Sequence, residues 1–223
     1  DIEALAAAKH KSVDEIKAII ASLHEFNPMM GHRGCRLTVT YPEIAKMQTA
    51  AVIRAAINVQ KKHPDWKIVP EIMIPLVGDV KEFKFVKKIV VEVADAEIKA
   101  AGIDLEYEVG TMIEIPRAAL TADEIAAEAD FFCFGTNDLT QYTLACDRQN
   151  PSLERFADPH SPAVLRMIQM TIEAAHRHGI WCGICGELGA DLSLTDTFLR
   201  LGIDELSVSP TSVLPLRNVI RNH

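Results

Sequence analysis

Short apolar runs alternate with amphipathic, helix-like stretches along most of this sequence, and that alternation limits the possible folds more than any other feature. Strands that alternate with helices over short connections assemble into a parallel sheet. Eight such strands close a (β/α)8 barrel and we count about six, so the pattern predicts either an incomplete barrel or an open doubly wound sheet. The candidate strands are residues 30–39, 67–77, 107–115, 130–135, 180–186 and 205–209.

The absence of internal breaks favours one domain. The chain has 223 residues, and no charge run or Pro/Ser-rich linker divides it, which predicts a single domain over residues 1–223. Because the sequence starts at Asp1 without an initiator Met, we expect it to be a piece of a longer protein.

The net charge and the cysteine content limit the possible binding partners and the cellular compartment of the protein. A formal net charge of −8 argues against nucleic acid, which needs a basic protein surface. No apolar run approaches the roughly 20 residues of a membrane-spanning helix, so no membrane association is expected. Five cysteines without a secretory leader are typical of a reducing compartment, and we expect the protein to be cytoplasmic.

Polar side chains stand at the ends of several candidate strands, where parallel barrels carry their chemistry. Glu114, Asp138 and Cys185 each lie at or just after the end of an apolar run. A carboxylate in such a buried place needs a cation or a metal as its partner. Two of them on neighbouring strands suit Mg2+, which takes one or two carboxylates and completes its shell with water and substrate. A salt bridge for Glu114 and a helix cap for Asp138 are the alternatives.

Four motifs carry a resemblance to the enzymes that use phosphoenolpyruvate (PEP). Residues 31–44 (GHRGCRLTVTYPEI) and 110–120 (GTMIEIPRAAL) look like pyruvate phosphate dikinase. Residues 134–141 (FGTNDLTQ) and 183–187 (GICGE) are similar across the wider group, which includes enzyme I of the sugar phosphotransferase system. The similarity runs along the whole chain.

The resemblance implies a TIM-barrel-type α/β domain that lacks its first two strands and binds PEP or pyruvate with Mg2+ as cofactor. It also implies phosphoryl transfer between PEP and a phosphohistidine on another domain of the same full-length enzyme, and a homodimer. Matched residue by residue, it implies Glu114 and Asp138 as metal ligands, Arg33, Asn137 and Arg148 as substrate contacts, and Cys185 as the acid that protonates the enolate.

The residue types agree with that chemistry. A thiol has an ordinary pKa of about 8.5, close enough to working pH to donate and accept a proton. Arginine forks match carboxylate and phosphate geometry better than lysine does. Because the phosphohistidine and nucleotide-binding domains have no counterpart in this sequence, we expect the chain alone not to turn over.

Other functions stay open at this stage. Residues 142–148 and 187–191, together with Glu205, are more like enzyme I than a dikinase. A non-catalytic barrel fragment that acts as a dimerisation scaffold is a second alternative, and an enolate-handling aldolase or lyase is a third. Residues 181–185 (WCGIC) resemble a thioredoxin motif, but a redox dithiol needs its first cysteine at a helix N-terminus and not inside an apolar strand. Cys133 and Cys146 are interpreted as packing residues.

Overall fold

Five parallel strands form a single sheet, and each strand pairs with the next one along the chain. This sequential order is that of a barrel wall, whereas a doubly wound sheet reverses its strand order at a switch point. The sheet is open, with β1 and β5 at its edges, so the prediction of a parallel α/β fold is confirmed and the barrel is not closed. The strands are β1 (Glu71–Ile74), β2 (Glu108–Ile113), β3 (Phe131–Gly135), β4 (Trp181–Cys185) and β5 (Glu205–Ser207).

The computed structural model describes all 223 residues. Their contacts divide into two compact units, residues 1–33 and residues 34–223, and the second contains the sheet. The first unit consists of α1 (Ile2–Lys9), α2 (Val13–Ser22) and a 3-10 turn (Pro28–Met30). Ser12 and Glu15 form a reciprocal capping box at the start of α2. The single domain over residues 1–223 stays a prediction.

Helices connect the strands of the second unit. The longest, α5, starts where the Asp79 side chain accepts a hydrogen bond from the Lys81 amide and ends at Gly102 in the left-handed conformation. None of the helices is both long and apolar enough to cross a lipid bilayer. They are α3 (Cys35–Thr40), α4 (Pro42–Lys62), α5 (Val80–Ala101), α6 (Pro116–Leu120), α7 (Ala122–Ala126), α8 (Thr136–Leu144), α9 (Pro162–Arg177), α10 (Thr195–Leu201) and α11 (Pro210–Arg221), with 3-10 turns at Pro151–Phe156 and Glu187–Ala190.

The prediction of a sixth strand at residues 30–39 is wrong. Gly34 has a φ of 57°, and α3 follows it directly. The Cys35 amide donates to the Pro75 carbonyl at 3.0 Å, which fixes the start of α3 against the end of β1. Short apolar runs do not by themselves distinguish a strand from a helix, and here a long-range backbone contact decides the outcome.

Apolar side chains fill the layer between the sheet and its helices. Phe132, Phe134 and Ile184 project from β3 and β4 and are fully buried. Ile168 and Ile172 of α9 belong to the same core cluster. This packing holds the carboxyl ends of the three central strands in fixed positions, and polar side chains gather at those ends.

Candidate active site

Glu114 directly follows the last residue of β2 and is only 4% exposed. Its Oε1 atom accepts a hydrogen bond of 2.6 Å from the backbone amide of Leu76, just after β1. Leu76 is itself buried and has a φ of 59°, a conformation that non-glycine residues rarely adopt. A buried carboxylate needs hydrogen bonds to offset its lost hydration, and the unusual turn at Leu76 supplies one.

Gly135, the last residue of β3, lets the end of that strand approach the Glu114 carboxylate. A Cβ atom placed on Gly135 would lie 2.6 Å from Glu114 Oε2 and 2.6 Å from Met112 Sδ. Both distances are far inside van der Waals contact, so only glycine fits here without displacing its neighbours. The carboxylate of β2 therefore lies against the backbone of β3.

We expect Gly135→Ala to lower the free energy of unfolding by about 1–3 kcal/mol, the usual effect of overpacking a buried position. The added methyl group would push the Glu114 carboxylate away from its contact with Leu76. Gly189→Ala is the matched control, because a Cβ there meets its nearest atoms at an ordinary 3.4 Å. Thermal unfolding of both variants checks this, and equal midpoints for the two would contradict it.

Asp138 lies in the first turn of α8 and is 4% exposed. The positive end of the helix dipole favours a carboxylate at this position. Its Oδ1 atom is 3.4 Å from Nη2 of Arg148, which lies in the loop after α8. That loop is held by Gln141, whose Oε1 atom accepts a hydrogen bond of 3.1 Å from the Arg148 amide.

The two carboxylates fit the donor set of a Mg2+ site. Glu114 touches Gly135, and Asp138 follows Gly135 by three residues, so both acids lie at the junction of β2, β3 and α8. No group of three or more His, Cys, Asp or Glu side chains is placed so that it could hold a metal ion by itself. Mg2+ typically uses only one or two protein carboxylates, with water and substrate oxygens as its other ligands. The residues present are therefore of the right type and number for this ion.

Cys185 is the last residue of β4, and its register partner on β3 is Gly135. The thiol is partly exposed and its Sγ atom contacts the Phe134 carbonyl at 3.3 Å. Because Gly135 contacts Glu114 on one side and pairs with Cys185 on the other, the thiol and the carboxylate flank the same residue. The ends of β2, β3 and β4 thus bring an acid and a thiol together.

The environment of Cys185 favours its thiolate form. A side-chain hydrogen bond from Cys133 lowers the pKa of Cys185, while burial and the negative charges of Glu114 and Glu205 oppose that effect. The same hydrogen bond, together with burial, raises the pKa of the Cys133 thiol. The sequence interpretation treated Cys133 as a packing residue and missed this contact. Only the register of β3 against β4 brings the two thiols together.

Asn137 and Arg148 line a cleft of about 630 Å³ beside this junction. The residues that line the cleft do not include Glu114, Asp138 or Cys185. The predicted substrate contacts Asn137 and Arg148 therefore lie in the cleft wall, and the predicted metal ligands and proton donor lie beside it. The contact between Arg148 and Asp138 links the two groups. The other lining residues are Thr140, Gln141, Cys146, Gln149, Ala157, Pro159, Glu187, Leu188 and Asp191.

Arg33 is the last residue of the first compact unit. Within that unit, its Nη1 atom contacts the sulfur of Met29 at 3.3 Å. The predicted contact between Arg33 and substrate stays a prediction.

Sequence comparison gives a consistent set of relatives. A family described as "PEP-utilising enzyme, PEP-binding domain" matches residues 3–223. Pyruvate, phosphate dikinase of Clostridium symbiosum is 52% identical over 214 residues, which are 89% of this chain and 24% of the relative. Phosphoenolpyruvate-protein phosphotransferase of Bacillus subtilis is 43% identical over 197 residues, 88% of this chain and 33% of the relative. The chain therefore spans about a quarter to a third of the length of these curated relatives.

Solved structures with a similar backbone are more distant. An HpcH/HpaI aldolase/citrate lyase family protein from Burkholderia cenocepacia is 17% identical, with a TM-score of 0.46 over 68% of this chain and 63% of the other. A citrate lyase from Burkholderia xenovorans is 16% identical, with a TM-score of 0.48 over 67% and 48%. Likeness at this level bears on neither reaction nor ligand.

Proposed function

The chain belongs to the PEP-utilising enzymes, as their PEP-binding domain, and from this premise we propose that it forms the PEP/pyruvate site of a pyruvate phosphate dikinase. The phosphotransferases among its relatives support the reaction class. The identity of 52% to the Clostridium symbiosum dikinase favours the dikinase over the other relatives.

In the proposed reaction, the phosphorus–oxygen bond of PEP breaks and the phosphoryl group passes to a histidine on another domain of the full-length enzyme. The remaining electron pair stays on the substrate as the enolate of pyruvate. The Cys185 thiol donates its proton to the methylene carbon of this enolate, which gives pyruvate and leaves a thiolate. In the reverse direction the thiolate removes a proton from the methyl group of pyruvate.

Asn137 and Arg148 are proposed to hold the anionic substrate, with Arg33 as a further contact. The guanidinium group of Arg148 presents a planar set of donors that matches carboxylate or phosphate oxygens. Its position in the cleft wall, beside Asn137, supports this role. The anchoring of its loop by Gln141 limits the positions that the guanidinium can reach.

Glu114 and Asp138 would hold Mg2+. When bound, the ion would supply positive charge beside the oxygen on which the enolate charge develops. The hydrogen bond from Leu76 orients the Glu114 carboxylate before any ligand arrives. Cytoplasmic location and a homodimer complete the proposal.

One observation carries this proposal. Gly135 pairs with Cys185 across β3 and β4, and its backbone lies against the carboxylate of Glu114. The thiol that we propose as proton donor and the acid that we propose as metal ligand therefore flank one residue at the carboxyl edge of the sheet. The arrangement suits the protonation of an enolate whose oxygen is held by a cation.

Titration calorimetry of the chain with oxalate, a planar dianion that resembles the enolate of pyruvate, tests the proposal. We expect heat of binding in the presence of Mg2+ and none when EDTA removes the ion, because the two carboxylates repel a bare dianion. Succinate, a longer dianion, is the control for unspecific anion binding. Absence of heat under both conditions would favour a non-catalytic scaffold.

Enzyme I of the sugar phosphotransferase system is the second candidate, and the 43% identity to the Bacillus subtilis phosphotransferase favours it. The name of the dikinase gives pyruvate and phosphate as the groups that it phosphorylates, so in the direction of pyruvate it consumes PEP with pyrophosphate and AMP, whereas the name of the phosphotransferase gives a protein as the acceptor. Incubating the full-length enzyme with PEP and either AMP plus pyrophosphate or a cell extract distinguishes them. Pyruvate release that needs only small molecules supports the dikinase.

A further inference from the structure

Two thiols lie next to each other on one face of the sheet. In the pairing of β3 with β4, Cys133 is opposite Gly183 and Cys185 is opposite Gly135. Side chains two residues apart on a strand share a face, so Cys133 and Cys185 are diagonal neighbours. Cys182 is three residues before Cys185 and lies in the apolar core on the opposite face. The two neighbouring cysteines are therefore Cys133 and Cys185, and not Cys182 and Cys185 of the thioredoxin-like motif.

The two thiols differ in access and in acidity. Cys185 is partly exposed, whereas Cys133 is buried at 5% exposure. The Cys133 thiol donates a hydrogen bond to Cys185 and lowers the pKa of Cys185, against the effects of burial and of the carboxylates of Glu114 and Glu205. A thiol of lowered pKa that solvent can reach, with a second thiol in contact, is the arrangement that oxidation-sensitive sites share.

We propose that Cys133 and Cys185 form a reversible disulfide when the protein meets a hydroperoxide. The disulfide itself depends only on the placement of the two thiols. Its consequence, loss of the proton donor for the enolate, rests on the proposed function.

The chemistry proceeds in two balanced steps. The Cys185 thiolate attacks the terminal oxygen of the hydroperoxide, the oxygen–oxygen bond breaks, and the products are a Cys185 sulfenic acid and an alkoxide or hydroxide that takes up a proton. The Cys133 sulfur then attacks the sulfenic sulfur, and the sulfur–sulfur bond forms as water leaves. Two thiols are oxidised by two electrons and one peroxide is reduced.

Closure of this bond requires a small movement. Neighbouring parallel strands lie about 4.8 Å apart and rise about 3.3 Å per residue, so the Cα atoms of these diagonal neighbours are roughly 8 Å apart, whereas disulfides usually join Cα atoms about 4.4–6.8 Å apart. Cys185 is the last residue of β4, and Gly186 follows it with a φ of 113°, so the chain can adjust at this end. A disulfide that retains strain is easily reduced, which suits a reversible bond.

The test is treatment of the chain with hydrogen peroxide, followed by alkylation, proteolysis and mass spectrometry. We expect a cross-linked pair of peptides containing Cys133 and Cys185, lighter than the two free peptides by two hydrogens and restored by dithiothreitol. In Cys133→Ser, oxidation should stop at a Cys185 sulfenic acid that dimedone traps. Cys182→Ser is the matched control and should form the same cross-link as the unchanged chain.

Other outcomes would overturn the proposal. No disulfide forms if Cys185 is oxidised to a sulfinic acid while the denatured protein can still be alkylated at Cys133. This outcome is measured on the unchanged chain, so it does not depend on whether a variant folds. A cross-link from Cys185 to Cys182 or Cys146 would show that Cys133 is not the partner of Cys185. The proposed function fails separately, if Cys185→Ala in the full-length enzyme leaves proton exchange at the pyruvate methyl group unchanged.

Discussion

Replacement of Cys185 by alanine in a full-length enzyme that contains this chain is expected to slow exchange of the pyruvate methyl protons with solvent by about 100- to 10,000-fold, the usual contribution of a general acid–base group. Pyruvate should still bind, because the change removes a proton carrier and none of the proposed anion contacts. Proton NMR in deuterated water measures the exchange directly and needs no product assay.

The pH dependence of that exchange gives a second readout. Removal of a methyl proton needs the thiolate, whose fraction rises with pH and levels off above the pKa of Cys185. Because the hydrogen bond from Cys133 lowers that pKa, the exchange rate should reach half of its plateau at a lower pH than it would with an ordinary thiol, whose pKa is about 8.5. Cys182→Ala is the control, since its thiol lies in the core on the other face of β4. Exchange at the original rate in Cys185→Ala would refute the assignment.

Replacement of Glu114 by glutamine is expected to weaken Mg2+-dependent binding of oxalate by about 10- to 100-fold. Glutamine keeps the size of the side chain and an oxygen that accepts from the Leu76 amide, but it removes the charge. The loss of one charge-assisted contact amounts to about 1.5–3 kcal/mol, and every 1.4 kcal/mol is about a factor of ten in affinity. Calorimetry at several Mg2+ concentrations measures the change.

Glu128→Gln serves as the control for this variant, because Glu128 pairs with Lys84 on the surface and should not affect binding. Thermal unfolding of both variants separates a local loss of binding from a loss of structure. Unchanged Mg2+ dependence in Glu114→Gln would place the metal elsewhere.

Much of the fold could be predicted from the sequence because β3 and β4, in the middle of the sheet, are nearly continuous apolar runs. Residues 130–135 and 180–186 contain β3 and β4 almost to the residue, since strands buried on both faces have few polar positions. Residues 30–39 (MGHRGCRLTV) are more polar, and their second half forms a helix that begins after Gly34, where the Cys35 amide contacts the Pro75 carbonyl. That contact joins positions far apart in the chain, so no local pattern reveals it.

The candidate site, like the fold, could be predicted from the sequence only in part. Glu114 and Asp138 could be identified because a carboxylate after an apolar run is unusual and needs a physical reason. The part played by Leu76 could not, because it depends on a backbone amide and a left-handed turn. Cys133 was also missed, since its contact with Cys185 follows from how β3 registers against β4, and a shift of one residue would turn it to the opposite face.

Glu114, Asp138 and Cys185 lie at or just after the ends of β2, β3 and β4, and each of these strands has a hydrogen-bonded neighbour on both sides. The two outer strands are short and each has one unpaired side. Sequence changes, natural or engineered, are therefore tolerated better at the outer strands of this sheet than at the central ones. Insertions or new loops next to the edge strands can alter which ligand binds. The spacing of Glu114, Asp138 and Cys185 is kept, because the central strands are hydrogen-bonded on both sides.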